Sequence, residues 1–494
     1  MRRMLLVTAG VAALSAEGAS AQTLRDALER TYRSNPTITA ERERVRGLDE
    51  AVAVARAGLR PQVFGTVGVN QDLISSNAGE GRNFTAGVQV NYPLFDAGRV
   101  RNQIRAADAR VEAGRAGLRA AEGDVFTDAV GAYMDVIRDR SIVALNENQV
   151  RVLQTNLDAT RDRFEVGDLT RTDVAQSEAR LALADSNLAV VRGRLRASEE
   201  AYRRIIGELP ADLAPPPVLP RLPTTPDEAV AIALENNPNL VAISDQIRAA
   251  GLDIDIINAG RLPTLDAVSS GSYTNRLGSG ESLGVGVPND TTRLGVGLSA
   301  SVPIYQGGLV AARARQAQSL RSQLVEQGIE TERFVVAQTQ AAFATYRASL
   351  AAIESNEVAV AANQLALEGT RAEQTVGTRN VLDVLNAEQE LLNSEVQLVT
   401  ARRDAYVAGF ALLNAMGRAE ADDLGLDGGA LYDPNVYANT TRGRASDWSE
   451  EEDRAPAATR TAPAVSNSPL VPITSELVGP IDPAANRPVT RPRQ

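Results

Sequence analysis

The stretch FTAGVQVNYPLFDAGR, residues 84–99, changes its pattern halfway along. Up to Tyr92 it alternates strictly. Phe84, Ala86, Val88, Val90 and Tyr92 fall on one face, and Thr85, Gly87, Gln89 and Asn91 on the other. A period of two predicts a strand with one apolar and one small polar face. After the turn residues Asp96-Ala97-Gly98, an uninterrupted helical pattern runs over 98–164. At 1.5 Å per residue that helix is roughly 100 Å long.

The same text occurs again as LGVGLSASVPIYQGG, residues 294–308, with Leu294, Val296, Leu298, Ala300 and Val302 on the apolar face. Weaker partner strands precede each: QVFGTVGVN (62–70) and TLDAVSSGSYT (264–274). The four strands are predicted at about 61–73, 82–95, 263–275 and 291–305, joined in pairs by Gly- and Ser-rich loops. GSGESLG in the second loop resembles a phosphate loop only superficially, because it lies in a hairpin and opens no helix.

Working outward, the duplication covers most of the chain. TLRDALERTYRSNPTI (23–38) matches TPDEAVAIALENNPNL (225–240), and Asn35-Pro36 falls 202 residues before Asn237-Pro238. FEVGDLTRTDV (164–174) matches the stretch containing VGTRNVLDV (376–384), with Gly167 and Asp173 each 210 residues before Gly377 and Asp383. Gly207 and Gly417 repeat that spacing. Each copy reads helix, two strands, long helix, turn, helix. In the first copy the flanking helices are predicted as single elements over 24–59 and 170–206. Val174, Leu181, Leu188, Leu195 and Tyr202 recur every seven residues, as do Val384, Leu391, Leu398, Ala405 and Leu412, so the last helices carry coiled-coil seams.

Composition narrows the function. The chain has 494 residues, net charge −11, and no Cys, His or Lys; its cations are all Arg. This excludes His-based triads, thiolate or imidazole metal sites, Walker phosphate loops and Schiff-base chemistry. The acidic balance argues against nucleic acid as a partner. Residues 1–21 read as a secretory signal: Arg2 and Arg3, an apolar run from Leu5 to Leu14, then Ala19-Ser20-Ala21. No later apolar run reaches the length of a membrane helix, so any crossing must be made by strands. Four strands cannot close a barrel alone, and three chains would supply twelve around an aqueous lumen.

The duplicated plan, the strand ends YPLFDAGR and VPIYQGG, and the turns FEVGDLTRTDV and VGTRNVLDVLNAEQ together resemble the TolC family of outer-membrane factors, over about residues 22–420. The strand-end wording is more similar to its type I protein-secretion branch. The resemblance implies a mainly α chain with membrane β: a homotrimer whose twelve-stranded barrel in outer-membrane lipid continues into a periplasmic coiled-coil tunnel. It implies docking to a periplasmic adaptor protein and to an inner-membrane transporter, ABC or proton-driven, with export of secreted protein or small toxic compounds. No cofactor, metal or catalytic residue is implied. It further implies an iris at the periplasmic end. Asp383 falls on a constricting acid and Arg379 on a latch cation, with Thr172 and Asp173 as its candidate partners. Gly167 and Gly377 reverse the helical hairpins. The family's second axial acid falls on Asn386 and a latch tyrosine on Gln374, so one acid ring and fewer latch bonds are expected. The competing reading is a periplasmic coiled-coil adaptor with no barrel.

The domains expected are therefore the signal (1–21), the first repeat (22–213), a Pro-rich linker (214–226), the second repeat (227–420) and a disordered tail (421–494). Pro, Thr, Ser and Asn enrichment suggests that the tail buries no core.

Overall fold

The computed structural model describes residues 21–71, 82–277, 288–426, 431–441, 443–449 and 455–458. These lie in one compact unit, Met1–Ala458. The signal stretch, apart from its last residue, most of both hairpin loops and residues 459–494 fall outside the described residues. The first copy holds α1 (Leu24–Ser34), α2 (Pro36–Ala57), β1 (Gln62–Gln71), β2 (Arg82–Phe95), α3 (Arg99–Glu165) and α4 (Arg171–Ile206). The second repeats the order as α5 (Pro226–Asn236), α6 (Pro238–Ala259), β3 (Thr264–Asn275), β4 (Asp290–Ser301), α7 (Leu309–Thr375) and α8 (Val381–Ala415). A short α9 (Pro434–Thr441) follows. The long helices α3 and α7 have 67 residues each, in agreement with the expected span.

The opening helix differs from expectation: it is two helices, broken at Asn35, and the second copy breaks likewise at Asn237. Proline suits the first helical position but pushes the residue before it into extended backbone, and both asparagines are extended. Each asparagine then works in two directions. Its side-chain oxygen caps the next helix, on Thr37 N at 2.9 Å and Asn239 N at 3.0 Å. Its amide donates to the end of the copy's last helix, Asn35 to Ile205 O at 2.9 Å and Asn237 to Ala415 O at 3.0 Å. The break is thus a clamp, made twice.

The strands form one antiparallel sheet in the order β1-β2-β3-β4, with a register shift between Pro93 and Phe95. The register aligns the sequence alternation across all four strands. Val63 faces Val90, Val67 faces Ala86, Tyr92 faces Ala267 and Ala267 faces Leu298 on one side. On the other side Gln89 faces Ser270, Asp266 faces Ser299 and Ser270 faces Gly295, with Phe64 and Val268 as the apolar exceptions. Among the described residues nothing covers the apolar side of β4: Val296 and Leu294 are each 82% exposed. β4 stops at Ser301 rather than 305, where its ladder partner β3 begins at Thr264. Among the described residues no helix is long and apolar enough to cross a membrane.

The main core forms where α1, α3, α4 and α8 meet, around Phe126, Tyr133, Tyr202, Ile206 and Leu412. The Tyr133 hydroxyl lies 2.9 Å from Gln22 O and 2.6 Å from Ala214 O, so one side chain fixes both the start of the first repeat and the start of the linker.

The expectation of a disordered tail from residue 421 is corrected for its first part. Ala421, Leu426 and Ala438 are buried, and Leu424, Leu431 and Tyr432 pack against the main core. Arg42 lies over the rings of Tyr32 (4.1 Å) and Tyr432 (5.2 Å), and Arg46 over those of Tyr432 and Tyr437 (5.6 Å each). Tyr432 N donates to the Tyr32 hydroxyl at 3.0 Å, and the Tyr437 hydroxyl to Glu50 at 2.9 Å. Stacked guanidinium and phenol groups, desolvated against a helix, hold a segment that average composition reads as unstructured.

Candidate functional site

The α3–α4 and α7–α8 turns are built alike. Gly167 (φ +83°) and Gly377 (φ +84°) take the left-handed conformation that ends each long helix. Asp168 N donates to Arg163 O (2.9 Å) and Thr378 N to Glu373 O (3.0 Å), closing matching loops at the two helix ends. A capping box then starts the next helix. Asp173 N donates to Thr170 Oγ1 (3.3 Å) and Thr170 N returns to the Asp173 carboxylate (2.9 Å). At the second turn Asp383 N donates to Asn380 Oδ1 at 2.8 Å. The Thr170 side-chain and backbone hydrogen bonds hold the Asp173 carboxyl below its usual range.

The structure puts the predicted residues at the turns but does not join them within the chain. Arg379 Nε bonds Glu373 at 2.8 Å, six residues away in its own hairpin, rather than Thr172 or Asp173. Thr172 is exposed, and Asp173 is occupied by its cap. The first turn carries an equivalent local pair, Arg163–Asp168 at 2.6 Å. Asn386, where the sequence resemblance aligns the family's second axial acid, accepts from Arg180 Nη2 at 2.7 Å and so links α8 to α4.

Sequence reasoning missed a buried residue that binds the two hairpins together. Glu388 is buried on α8, its side chain 2% exposed. Asn156 Nδ2 of α3 donates to both its oxygens (2.9 and 3.1 Å), and Arg371 Nη2 of α7 donates at 3.0 Å. Beside this clasp, Val381 and Leu385 pack with Leu153 of α3 and Ala184 of α4. The Arg371–Glu388 pair is itself a repeat: Arg161 and Glu178 occupy the same positions 210 residues earlier and bond at 2.7 Å. That first pair stays half-exposed, and Ala366 stands where Asn156 has its counterpart. A sequence signal existed. Val381, Val384, Leu385 and Glu388 have the i, i+3, i+4, i+7 spacing of one helix face, and a lone acid on an apolar stripe needs a partner.

Comparison with known proteins places these turns in context. The profile of the family described as outer membrane efflux protein matches residues 27–208 and 229–418, one match for each copy. The outer membrane efflux protein BepC of Brucella suis biovar 1 (strain 1330) is 36% identical over 427 residues, covering 86% of this chain and 91% of that protein. The outer membrane protein TolC of Escherichia coli (strain K12) is 28% identical over 457 residues, covering 88% and 90%. Among solved structures, the Campylobacter jejuni CmeC outer membrane channel superimposes with a TM-score of 0.71 at 13% identity, covering 90% of this chain and 98% of that one.

Proposed function

From the premise that this chain belongs to the outer membrane efflux protein family, we infer that it is the outer-membrane channel subunit of a tripartite export system. The observation that carries this reading is the sheet: one side apolar and uncovered, the other polar, with free edges at β1 and β4, set on helices about 100 Å long. Unpaired edges in lipid cost several kcal/mol per backbone group, so the sheet must close on other copies. Three copies give twelve strands and a water-filled lumen, whereas two would leave a bore filled by side chains. The channel is read as a homotrimer in the outer membrane, its tunnel in the periplasm, served by a periplasmic adaptor and an inner-membrane ABC or proton-driven transporter. The YPLFDAGR strand end favours protein export of the type I kind, and the efflux proteins it resembles favour small toxic compounds. A barrel-free adaptor is set aside, because the relatives are named as outer-membrane proteins. The reading assigns no catalytic step.

Placing arginine on each side of one strand tests the membrane assignment. Val296→Arg, on the apolar side, is expected to cost about 2–4 kcal/mol if that side meets lipid at mid-depth, and to lower the yield of assembled trimer. Ser299→Arg, on the polar side beside Asp266, should assemble normally. Equal assembly of both variants would remove the lipid-facing assignment.

At the tunnel end we read Asp383 as the constricting acid and Arg379 as the latch cation, with Thr172 and Asp173 of the first repeat as its candidate partners in the assembled trimer. Three Asp383 carboxylates around one axis would repel each other and draw cations in. Asp383→Asn is therefore expected to reduce cation over anion preference in planar-bilayer recordings. An unaltered reversal potential in a salt gradient would reject that role.

A further inference from the structure

Far along the chain from the hairpin turns, a cavity of about 340 Å³ lies between α3, α6 and the docked segment that follows α8. Among the described residues of its wall, carboxylates outnumber guanidinium groups by five to two. Both guanidiniums are engaged: Arg115 lies 3.2 Å from Glu112 and 3.8 Å from the buried Asp49, and Arg119 lies 3.7 Å from Glu420. Asp245 is held by Arg248 at 2.9 Å. Glu122 and Asp422 remain, with no ion pair and no side-chain hydrogen bond among the described residues.

Glu122 is the telling one. It is 7% exposed, yet it lines the cavity. Arg42 does not neutralise it by contact, because that guanidinium is stacked on the Tyr32 ring. A carboxyl so placed is unfavourable when charged unless a cation joins it. Burial pushes it up to about 7, against Arg42 and with help from Glu420 and Asp422. Among the described residues no group of three or more acidic side chains is arranged to hold a metal ion. The carboxylates here are instead spread between the apolar walls of Leu118, Val241 and Leu431. An ammonium on a hydrocarbon stem matches that division, charge to carboxylate and methylene to leucine.

We propose that this cavity binds a small aliphatic diamine, with its ammonium groups on Glu122 and Asp422 and its methylenes along Leu118 and Leu431. Every residue of the site belongs to one chain, so the proposal stands apart from the channel reading.

The test is equilibrium dialysis of the purified full-length protein in detergent against 1,4-diaminobutane, with 1,4-butanediol as the neutral analogue. One diamine per chain should bind and the diol should not. E122Q and D422N should each weaken binding about tenfold or more, the loss of one charge-assisted hydrogen bond. Asp422 is exposed, so D422N carries the test if E122Q fails to fold. Equal binding of diol and diamine, unchanged affinity in D422N, or magnesium chloride displacing the diamine more strongly than sodium chloride of equal ionic strength would each overturn the proposal.

Discussion

Gly417→Ala is expected to destabilise the protein by about 2–5 kcal/mol, although it adds one methyl group. Gly417 has φ +69°, where an L side chain is strained by about 1–2 kcal/mol. Its added Cβ would also stand 2.5 Å from Asn236 O and 2.7 Å from Asn236 C. Those are backbone atoms at the α5–α6 break, fixed by the Asn237 clamp on Ala415, so they cannot swing aside as a flexible side chain could. Overpacking of that kind adds about 1–3 kcal/mol. Gly167→Ala gives the control. Its φ of +83° carries the same strain, but no atom lies within 4 Å of the new Cβ, and only that strain of about 1–2 kcal/mol is expected. Thermal melts of the purified protein separate the two, and a Gly417→Ala shift no larger than that of Gly167→Ala would disprove the backbone clash.

The contrast also shows what the sequence made legible. The spacing of Gly207 and Gly417 marked the end of each copy, and both take positive φ. The glycines could be placed at turns because their reason is local. What stands opposite Gly417 is not local: Asn236 is remote in sequence and comes close only through the clamp. The break at Asn35-Pro36 was written in the sequence, since the residue before proline resists helix, although the stretch 24–59 was expected as one helix. The alternation at 84–92 and 294–302 predicted the strand faces correctly, because a side-chain period of two leaves no other solution once register is set.

The tail shows the opposite limit. Averaged over residues 421–494, Pro, Thr, Ser and Asn make up 24 of 74 residues, and the few residues that matter are diluted. Tyr432 and Tyr437 dock because Arg42 and Arg46 of α2 offer them cationic faces, a pairing of segments nearly 400 residues apart. Periodicity cannot register such a contact. At the hairpin end, resemblance directed Arg379 towards the first copy, while its partner within the chain is Glu373. Resemblance located the turn, and the residue-level chemistry had to be seen.

Glu388→Ala is expected to raise the resting conductance of the channel several-fold and to loosen the α7–α8 end. The carboxylate receives three hydrogen bonds from two different helices, and those to a charged group contribute about 1.5–3 kcal/mol each. Those bonds act on one carboxylate and are not additive, so docking of the two hairpins should weaken by about 3–5 kcal/mol, as when one partner of a buried pair is removed. Glu178→Ala separates this claim from a general effect of losing an acid, because duplication supplies the same ion pair in a different setting. Arg161–Glu178 is half-exposed and lacks an amide like that of Asn156, and exposed pairs contribute about 0–1 kcal/mol. Glu178→Ala should therefore leave conductance and hydrogen exchange near the parent, while Glu388→Ala should speed exchange at the amides of α8 next to the turn. If the two variants prove alike in both measurements, burial of the second pair has no bearing on how the tunnel end is held shut, and the closure must reside in contacts between copies.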